Sequence, residues 1–266
     1  MRSSSTHLAK LTGRLARFTA LLALAGALTG CQGIYGTQPV ALVRFIDATP
    51  DLPAPGGVDI YQNSTVFLYN IGFGSVSSYI PIATGGNTYS VDIAGTQQQL
   101  ATVHATFTLG GQFTVLIGNV AASLQMTVLK DESSPAPSGQ VALRFLDQAT
   151  HAGAVDIYLL SANGKLAATL PTLTNVAFGN LPAYIDVPSG AYSIVVLPTG
   201  TSTATTTTTT GTVTTTSTIP TLYSGNQVSY SGAAVRTIIL LDQPQTSPPG
   251  VQVITADDYD SPTATS

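Results

Sequence analysis

The 266-residue chain carries 9 basic and 13 acidic side chains, and only 8% of its residues are charged whereas 44% are hydrophobic. This composition supplies a core and is not typical of a disordered protein. Four of the basic residues lie within the first 30 positions, so the rest of the chain has a net charge of −8. Such an acidic surplus disfavours nucleic acid and anionic lipid as partners, because both attract basic faces.

The first 30 residues have the organisation of a secretory signal peptide. Four basic residues and no acidic residue precede an apolar run at residues 18–28. This run is shorter than the roughly 20 residues that cross a bilayer. A basic segment followed by a short apolar segment is typical of a signal peptide that is removed. We therefore expect residues 1–30 to take no part in the fold.

The segment ends in Leu28-Thr29-Gly30-Cys31, which resembles the lipobox of bacterial lipoproteins. The resemblance implies that the Cys31 thiol receives a diacylglycerol, that the chain is cut before Cys31, and that a fatty acid such as palmitate acylates the new amino group. Two or three acyl chains anchor a protein stably. Gln32 follows, and by resemblance to Gram-negative sorting rules the lack of an aspartate there favours the outer membrane, on its periplasmic or its surface face. Residues 31–38 are predicted to form a lipidated tether.

The rest of the chain is predicted to be all-β. Val, Thr, Ser and Gly are abundant, whereas Lys and Glu are scarce. Tyr89, Val91 and Ile93 alternate with Ser90 and Asp92, which is typical of a half-buried antiparallel strand. Turn signals recur at roughly ten-residue spacing, which favours antiparallel, immunoglobulin-like β-sandwiches.

An internal repeat predicts two domains. The blocks at 40–47, 58–61, 73–80 and 89–91 return in the same order at 140–147, 155–158, 178–185 and 192–194. A period near 100 residues corresponds to a whole domain and not to a solenoid unit. We predict one sandwich at 39–132, a polar, proline-containing linker at 133–139, and a second sandwich at 140–260.

The repeated blocks also carry a family resemblance. The first repeat contains RFIDATPD at 44–51 and VDIY at 58–61, followed by Phe73-Gly74, Tyr79 and Tyr89. These motifs resemble the domain of unknown function 4397 family, which is common in bacterial lipoproteins. The resemblance covers most of 40–132 and 140–258 and implies two tandem copies. It implies no known activity, substrate or cofactor.

Two charged pairs recur in the two repeats. Arg44 and Asp59 in the first match Arg144 and Asp156 in the second, on strands predicted to be adjacent. They are interpreted either as the lining of a ligand groove or as a cross-strand ion pair or hydrogen bond that holds the first loop.

Neither histidine beyond residue 30 stands in a catalytic or metal-binding motif. His104 and His151 occupy non-equivalent places, and no other cysteine or histidine completes a zinc site. No G-x-S-x-G elbow accompanies them. We expect no metal and no cofactor, and a hydrolase that uses a serine with His104 or His151 is kept as the enzymatic alternative.

The tyrosines allow two interpretations. The tyrosines of the first repeat serve either as packing groups with their hydroxyls at the sheet edge or as platforms that stack on sugar rings. They are Tyr61, Tyr69, Tyr79 and Tyr89. The chain has no Trp, which weakens the carbohydrate interpretation.

Two segments near the C-terminus are polar. Residues 199–221 form a threonine-rich insertion, which is either a projecting hairpin with Gly211 at its tip or a flexible, O-glycosylated loop. The acidic stretch 257–260 is expected to end in solvent.

These observations favour a non-enzymatic, lipid-anchored binding or interaction module of the cell envelope, with an unknown ligand. A carbohydrate-binding or adhesive module and an envelope hydrolase are the alternatives. The expected partners are the membrane, through Cys31, and an envelope protein or glycan.

Overall fold

The computed structural model describes residues 40–53, 56–204, 218–243 and 250–259, and the backbone of 207–210 and 213–216. The predicted signal peptide, Cys31 and the tether at 31–38 lie outside these residues. Within the described part the chain is all-β, with two single 3₁₀ turns at Ala121–Ser123 and Leu166–Ala168. No helix among the described residues has the length and apolar character needed to span a bilayer.

The first half of the chain forms eight strands. They are β1 (Val40–Asp47), β2 (Val58–Gln62), β3 (Thr65–Ile71), β4 (Ile80–Ala83), β5 (Gly85–Ile93), β6 (Gln99–Phe107), β7 (Gln112–Gly118) and β8 (Gln125–Asp131). Two four-stranded sheets result, with the orders β4-β1-β7-β8 and β3-β2-β5-β6. The pairs are antiparallel except β1 with β7, which run parallel.

The core of this first sandwich lies between its two sheets. Phe45 on β1 meets Tyr89 on β5 edge to face, with the ring centroids 5.1 Å apart. Tyr89, Val91 and Ile93 are buried on one side of β5, as the alternation predicts. Because side chains alternate across a strand, Ser90 and Asp92 lie on the outer face of the same sheet.

The second half forms a corresponding sandwich with further short strands. They are β9 (Gln140–Gln148), β10 (Val155–Ser161), β11 (Leu173–Val176), β12 (Ile185–Pro188), β13 (Gly190–Pro198), β14 (Thr207–Thr210), β15 (Val213–Thr216), β16 (Tyr223–Ser224), β17 (Val228–Tyr230), β18 (Val235–Gln243) and β19 (Gly250–Tyr259). One sheet has the order β12-β9-β18-β19 with a parallel β9–β18 pair, and the other has the order β11-β10-β13-β16, with β17 also pairing β13.

The two sandwiches pack against each other through the outer faces of the sheets that contain β1 and β9. Apolar side chains from both sheets form a shared buried cluster: Ile46, Ala48, Leu116 and Leu129 from the first, and Leu146, Ile239, Leu241 and Ala256 from the second. We call this interface the seam. The described residues from 40 onward form one compact unit.

The segment predicted as a linker is packed against the second sandwich. Ala136 is buried against Ala142 and Val235, and its N–H donates to the carbonyl of Ala233 at 3.1 Å. Asp131, which precedes the predicted linker, belongs to β8 and contributes to the seam.

The threonine-rich insertion contains a two-stranded ribbon. β14 pairs antiparallel with β15, from Thr207 opposite Thr216 to Thr210 opposite Val213. This pairing agrees with the hairpin interpretation, although Gly211, its predicted tip, lies outside the described residues. O-glycosylation of the tract stays a prediction.

Candidate functional site

Arg44 does not pair with Asp59, and Arg144 does not pair with Asp156. β1 and β2 lie in different sheets of the first sandwich, as do β9 and β10 in the second, so the expectation of adjacent strands was wrong. Alternation along a strand fixes the side that a residue faces but does not identify the neighbouring strand. Arg44 is only 2% exposed and points into the seam, so it lines no open groove.

The seam holds two arginine–aspartate pairs that cross from one sandwich to the other. The Arg44 guanidinium pairs with the carboxylate of Asp258, and Arg144 Nη2 lies 2.6 Å from Asp131 Oδ1. A tyrosine and a threonine complete each half. Tyr79 and Thr114 donate to Asp131 at 2.7 and 2.6 Å, whereas Tyr184 and Thr237 donate to Asp258 at 2.8 and 2.7 Å.

We call these two arginines, two aspartates, two tyrosines and two threonines the seam cluster, and its charges balance. Burial alone lowers the pKa of Arg44, but the carboxylates of Asp258 and Asp131 outweigh it, so that pKa is raised overall. Each guanidinium also lies over a tyrosine ring: Arg44 is 4.7 Å from the centroid of Tyr79, and Arg144 is 4.6 Å from that of Tyr184. In this protein, carboxylates and tyrosine rings together hold a guanidinium.

Asp131 and Asp258 are the residues that the sequence analysis missed. The expectation that 257–260 ends in solvent was wrong for Asp258, which is 4% exposed within β19. A further repeat block could have identified the cluster. Thr114-Val115-Leu116 returns as Thr237-Ile238-Ile239, and each last strand of a repeat ends near an aspartate.

Asp59 and Asp156 anchor loops instead of arginines. The Asp59 carboxylate accepts hydrogen bonds from the backbone N–H groups of Asn70 and Gly95 at 2.8 and 2.9 Å. Asp156 likewise accepts from Asn175 and Gly200 at 2.9 and 3.1 Å. Both are therefore structural carboxylates at equivalent places, although the interpretation as cross-strand ion pairs was wrong.

The outer face of the sheet β3-β2-β5-β6 presents two tyrosines beside two carboxylates. We call this surface, defined by Asp59, Tyr61, Tyr69 and Asp92, the tyrosine face. Asp59 lies directly opposite Asp92 in the β2–β5 ladder, and Tyr61 lies opposite Ser90. Tyr69 is 69% exposed, and Tyr61 is partly exposed.

Asp92 is the unusual member of the tyrosine face. The residue as a whole is 9% exposed, and no hydrogen bond or ion pair within the described part of the chain reaches its carboxylate. Burial raises the pKa of Asp92, and the negative charge of Asp59 raises it further. Partial burial and then the charges of Asp92 and Asp59 raise the pKa of Tyr61 in turn. Like charges opposite each other on neighbouring strands repel.

The equivalent face of the second sandwich is apolar and covered by the chain itself. In the β10–β13 ladder, Asp156 lies opposite Leu197, and Tyr158 lies opposite Val195. Tyr158 is only 4% exposed. Tyr158, Val195 and Leu197 form a buried cluster, and Leu160, Leu166 and Ile219 pack against it. Leu197 and Val195 thus occupy the places that Asp92 and Ser90 hold on the open tyrosine face.

The other tyrosines follow the packing interpretation. Tyr89 is fully buried, and its hydroxyl accepts a hydrogen bond from Gln62 Nε2 at 3.0 Å. Tyr79 belongs to the seam cluster. The structure therefore separates Tyr61 and Tyr69, which face outward, from Tyr79 and Tyr89, which pack inside.

Neither histidine is hydrogen-bonded to a carboxylate of the tyrosine face. His104 Nδ1 is 3.0 Å from Thr88 Oγ1, and His151 Nδ1 is 3.2 Å from Asp242 Oδ1. Within the described residues no serine is hydrogen-bonded to either ring. The Asp242 carboxylate also accepts from Thr150, so it fixes the 150–151 loop. In the same part of the chain, no three His, Cys, Asp or Glu side chains cluster in a way that would hold a metal ion.

One family model matches part of the chain. Residues 41–158 match a family described as a domain of unknown function, DUF4397. The match begins in β1 and ends in β10, so it runs through the first sandwich and into the second. No curated protein matches the chain.

Several solved structures are similar in their β architecture. A leucine-rich repeat protein from Bacteroides thetaiotaomicron is 13% identical over 75% of this chain and 26% of its own length, with a TM-score of 0.20. A streptococcal virulence factor described as binding alpha-glucan is 9% identical over 59% of this chain and 80% of its own, with a TM-score of 0.24. A family 26 carbohydrate-binding module from Eubacterium rectale, solved with maltoheptaose, is 9% identical over 84% of this chain and 98% of its own, with a TM-score of 0.21.

Proposed function

We propose that this protein is a non-enzymatic binding module of the bacterial cell envelope, and that the tyrosine face is its binding surface. The contrast between the two sandwiches supports the proposal. The same sheet face is closed by Leu160, Leu166 and Ile219 in the second sandwich but stays open and polar in the first. Exposed tyrosines are favoured at interfaces, because each ring buries much area at a low cost in side-chain entropy.

The proposal includes a lipid anchor at Cys31 and, from Gln32, location in the outer membrane. The lipobox at 28–31 supports the anchor. It also includes two copies of one domain, at 39–132 and 140–260, joined by residues 133–139. The repeated sequence blocks support the duplication, and so do the matching strand orders, each with one parallel pair.

The test compares surface variants of the full-length protein in cross-linking to solubilised envelope material. Tyr61→Ala with Tyr69→Ala removes the aromatic surface, and Leu170→Ala is the control, because Leu170 is highly exposed elsewhere. We expect cross-linked partners to be lost in the double variant and kept in the control. Identical cross-linking by all three proteins, with unchanged melting temperatures, would contradict the proposal.

Glycan binding is the second candidate function, and the exposed ring of Tyr69 favours it. A ring that is mostly free of protein contacts offers a surface for stacking on a sugar. Maltoheptaose serves as a neutral oligosaccharide probe in calorimetric titration of the wild-type protein and of Tyr69→Ala. We expect any glycan affinity at this surface to fall in the variant, and binding that the variant retains would place the glycan elsewhere.

A further inference from the structure

We infer that the tyrosine face binds the guanidinium group of an arginine side chain on a basic polypeptide, with Asp92 as the residue that pairs with it. The inference rests on the proposed function, because it assigns a ligand class to the same surface.

Two carboxylates lie next to each other on this face. Asp59 is held in place by two backbone N–H donors and lies directly opposite Asp92 in the β2–β5 ladder. The Asp92 carboxylate has no such partner among the described residues, although the residue as a whole is only 9% exposed. Its oxygens reach the surface, so a ligand can contact them, and a cation there relieves the repulsion from Asp59.

A tyrosine ring lies next to this carboxylate. Tyr61 is opposite Ser90 in the β2–β5 ladder and is therefore the diagonal neighbour of Asp92, within reach of a long side chain. A cation that pairs with Asp92 lies beside this ring, and the faces of tyrosine rings attract guanidinium and ammonium groups. Neutral hydroxyl groups would also hydrogen-bond to Asp92, but they would leave the charge of the carboxylate pair uncompensated.

Elsewhere in this molecule the same groups bind arginine side chains. At the seam, Arg44 lies over Tyr79 and pairs with Asp258, and Arg144 lies over Tyr184 and pairs with Asp131. The tyrosine face offers the same groups, two carboxylates and two tyrosines, without an arginine. In the second sandwich Leu197 replaces Asp92, and the chain closes that face with apolar side chains.

The net charge of the chain also favours a basic ligand. From residue 31 onward the chain has a net charge of −8. A basic polypeptide is attracted to such a chain before contact, and the attraction weakens as salt concentration rises.

The test is calorimetric titration of the purified full-length protein in non-ionic detergent with a blocked tetra-arginine peptide. Tetra-citrulline is the matched neutral peptide, spermine is a cation that is not a polypeptide, and maltoheptaose is the neutral oligosaccharide. The variants are Asp92→Asn and Tyr69→Ala. Asp186→Asn is the matched control, because Asp186 is an exposed aspartate on the edge strand β12.

We expect the dissociation constant for tetra-arginine to rise about tenfold or more in Asp92→Asn, the usual effect of losing a hydrogen bond to a charged group. In Asp186→Asn it should change by less than about twofold, because an exposed charge contributes little. Tetra-arginine should also raise the melting temperature of the wild-type protein but not that of Asp92→Asn, because ligand binding stabilises the folded state. Asp92→Leu, which copies Leu197, provides the same test if Asp92→Asn does not fold.

Four outcomes would overturn the inference. Equal affinity for tetra-arginine and tetra-citrulline would exclude charge recognition, and equal loss in Asp92→Asn and Asp186→Asn would exclude this site. Spermine binding as tightly as tetra-arginine, with the same dependence on Asp92, would exclude a polypeptide-specific site. Maltoheptaose binding that Tyr69→Ala abolishes, with no binding of tetra-arginine, would overturn the guanidinium inference and leave the proposed function intact.

Discussion

Arg44, in the first strand of the first sandwich, is ion-paired with Asp258, in the last strand of the second sandwich, 214 positions further along the chain. The reciprocal pair, Arg144 with Asp131, joins the sandwiches in the opposite sense. Each guanidinium therefore neutralises a carboxylate that the other sandwich supplies. The buried charges of both halves are paired only when the two sandwiches are packed together.

Asp258→Ala should lower the free energy of unfolding by about 3–5 kcal/mol, because it leaves Arg44 as a buried charge with a distant partner, Asp131 at 3.6 Å. The control is Asp257→Ala, whose exposed carboxylate pairs with Arg236 at 3.0 Å and should contribute less than about 1 kcal/mol. Urea unfolding of both variants measures the difference. Similar small losses would show that the seam pairs contribute little to stability.

Residues 39–132 and 140–260, expressed separately, should keep β structure but melt at lower temperatures than the full chain. Each half contains its own core, yet separation exposes the apolar seam residues and breaks both cross-pairs. The two halves, when mixed, should form a 1:1 complex in size-exclusion chromatography with light scattering. Arg144→Ala in the second half should weaken that complex, and halves that never associate would contradict the expectation.

Stability should decrease as the pH rises from about 4 to 7, because of Asp47 and Asp147. Burial raises the pKa of Asp47 to about 6, and burial together with the charge of Asp242 raises the pKa of Asp147 to about 7. In both residues Oδ2 is buried without a partner among the described residues. Because the folded pKa values exceed the unfolded value near 3.9, the folded state holds these protons more tightly.

The stabilising contribution is therefore complete below the unfolded pKa and is lost as the pH passes through 6 and 7. Its size is on the order of 3 kcal/mol for Asp47 and 4 kcal/mol for Asp147. Asp47→Asn and Asp147→Asn should flatten the dependence of the unfolding free energy on pH between 4 and 8, whereas Asp186→Asn should not. Unfolding in urea at several pH values measures the slope, and an unchanged slope in both buried variants would refute the assignment.

Replacing residues 203–217 with a short glycine-serine linker should change the melting temperature by only a few degrees. Loop length alters stability slowly, and the ribbon β14–β15 pairs only with itself among the described strands. Removing all of 199–221 should be far more damaging, because Gly200 donates to Asp156 and Ile219 packs on the cluster that contains Tyr158. Equal effects of the two deletions would contradict this distinction.

Cys31→Ser should abolish incorporation of labelled palmitate and leave the precursor uncleaved. The prediction follows from the lipobox at 28–31 and concerns residues outside the described structure. Metabolic labelling followed by electrophoresis measures both properties. Label that still enters the Cys31→Ser protein would remove the basis for the anchor.

The all-β architecture followed from the alternation of residues such as Tyr89 and Val91, because the side that a strand residue faces depends only on local periodicity. The partners of Arg44 could not be found in this way. Asp131 and Asp258 follow it by 87 and 214 positions, and contacts over such separations depend on strand order and on how two sheets pack. The repeat identifies residues that both halves share, such as Asp59 and Asp156, which anchor loops in both halves. It cannot identify Asp92, because its counterpart in the second half is Leu197.

The position of Asp258 in β19 also determines when Arg44 can find its partner during export. In the proposed secretory route the polypeptide leaves the translocation channel with its N-terminus first, so β1 is available before β19. During that interval Arg44 has Asp131 alone as its acidic neighbour, and the apolar side of its sheet has nothing to cover it. The emerging chain is therefore most prone to self-association after β8 has emerged. Emergence of β19, which carries Asp258, lets the second sandwich cover this sheet.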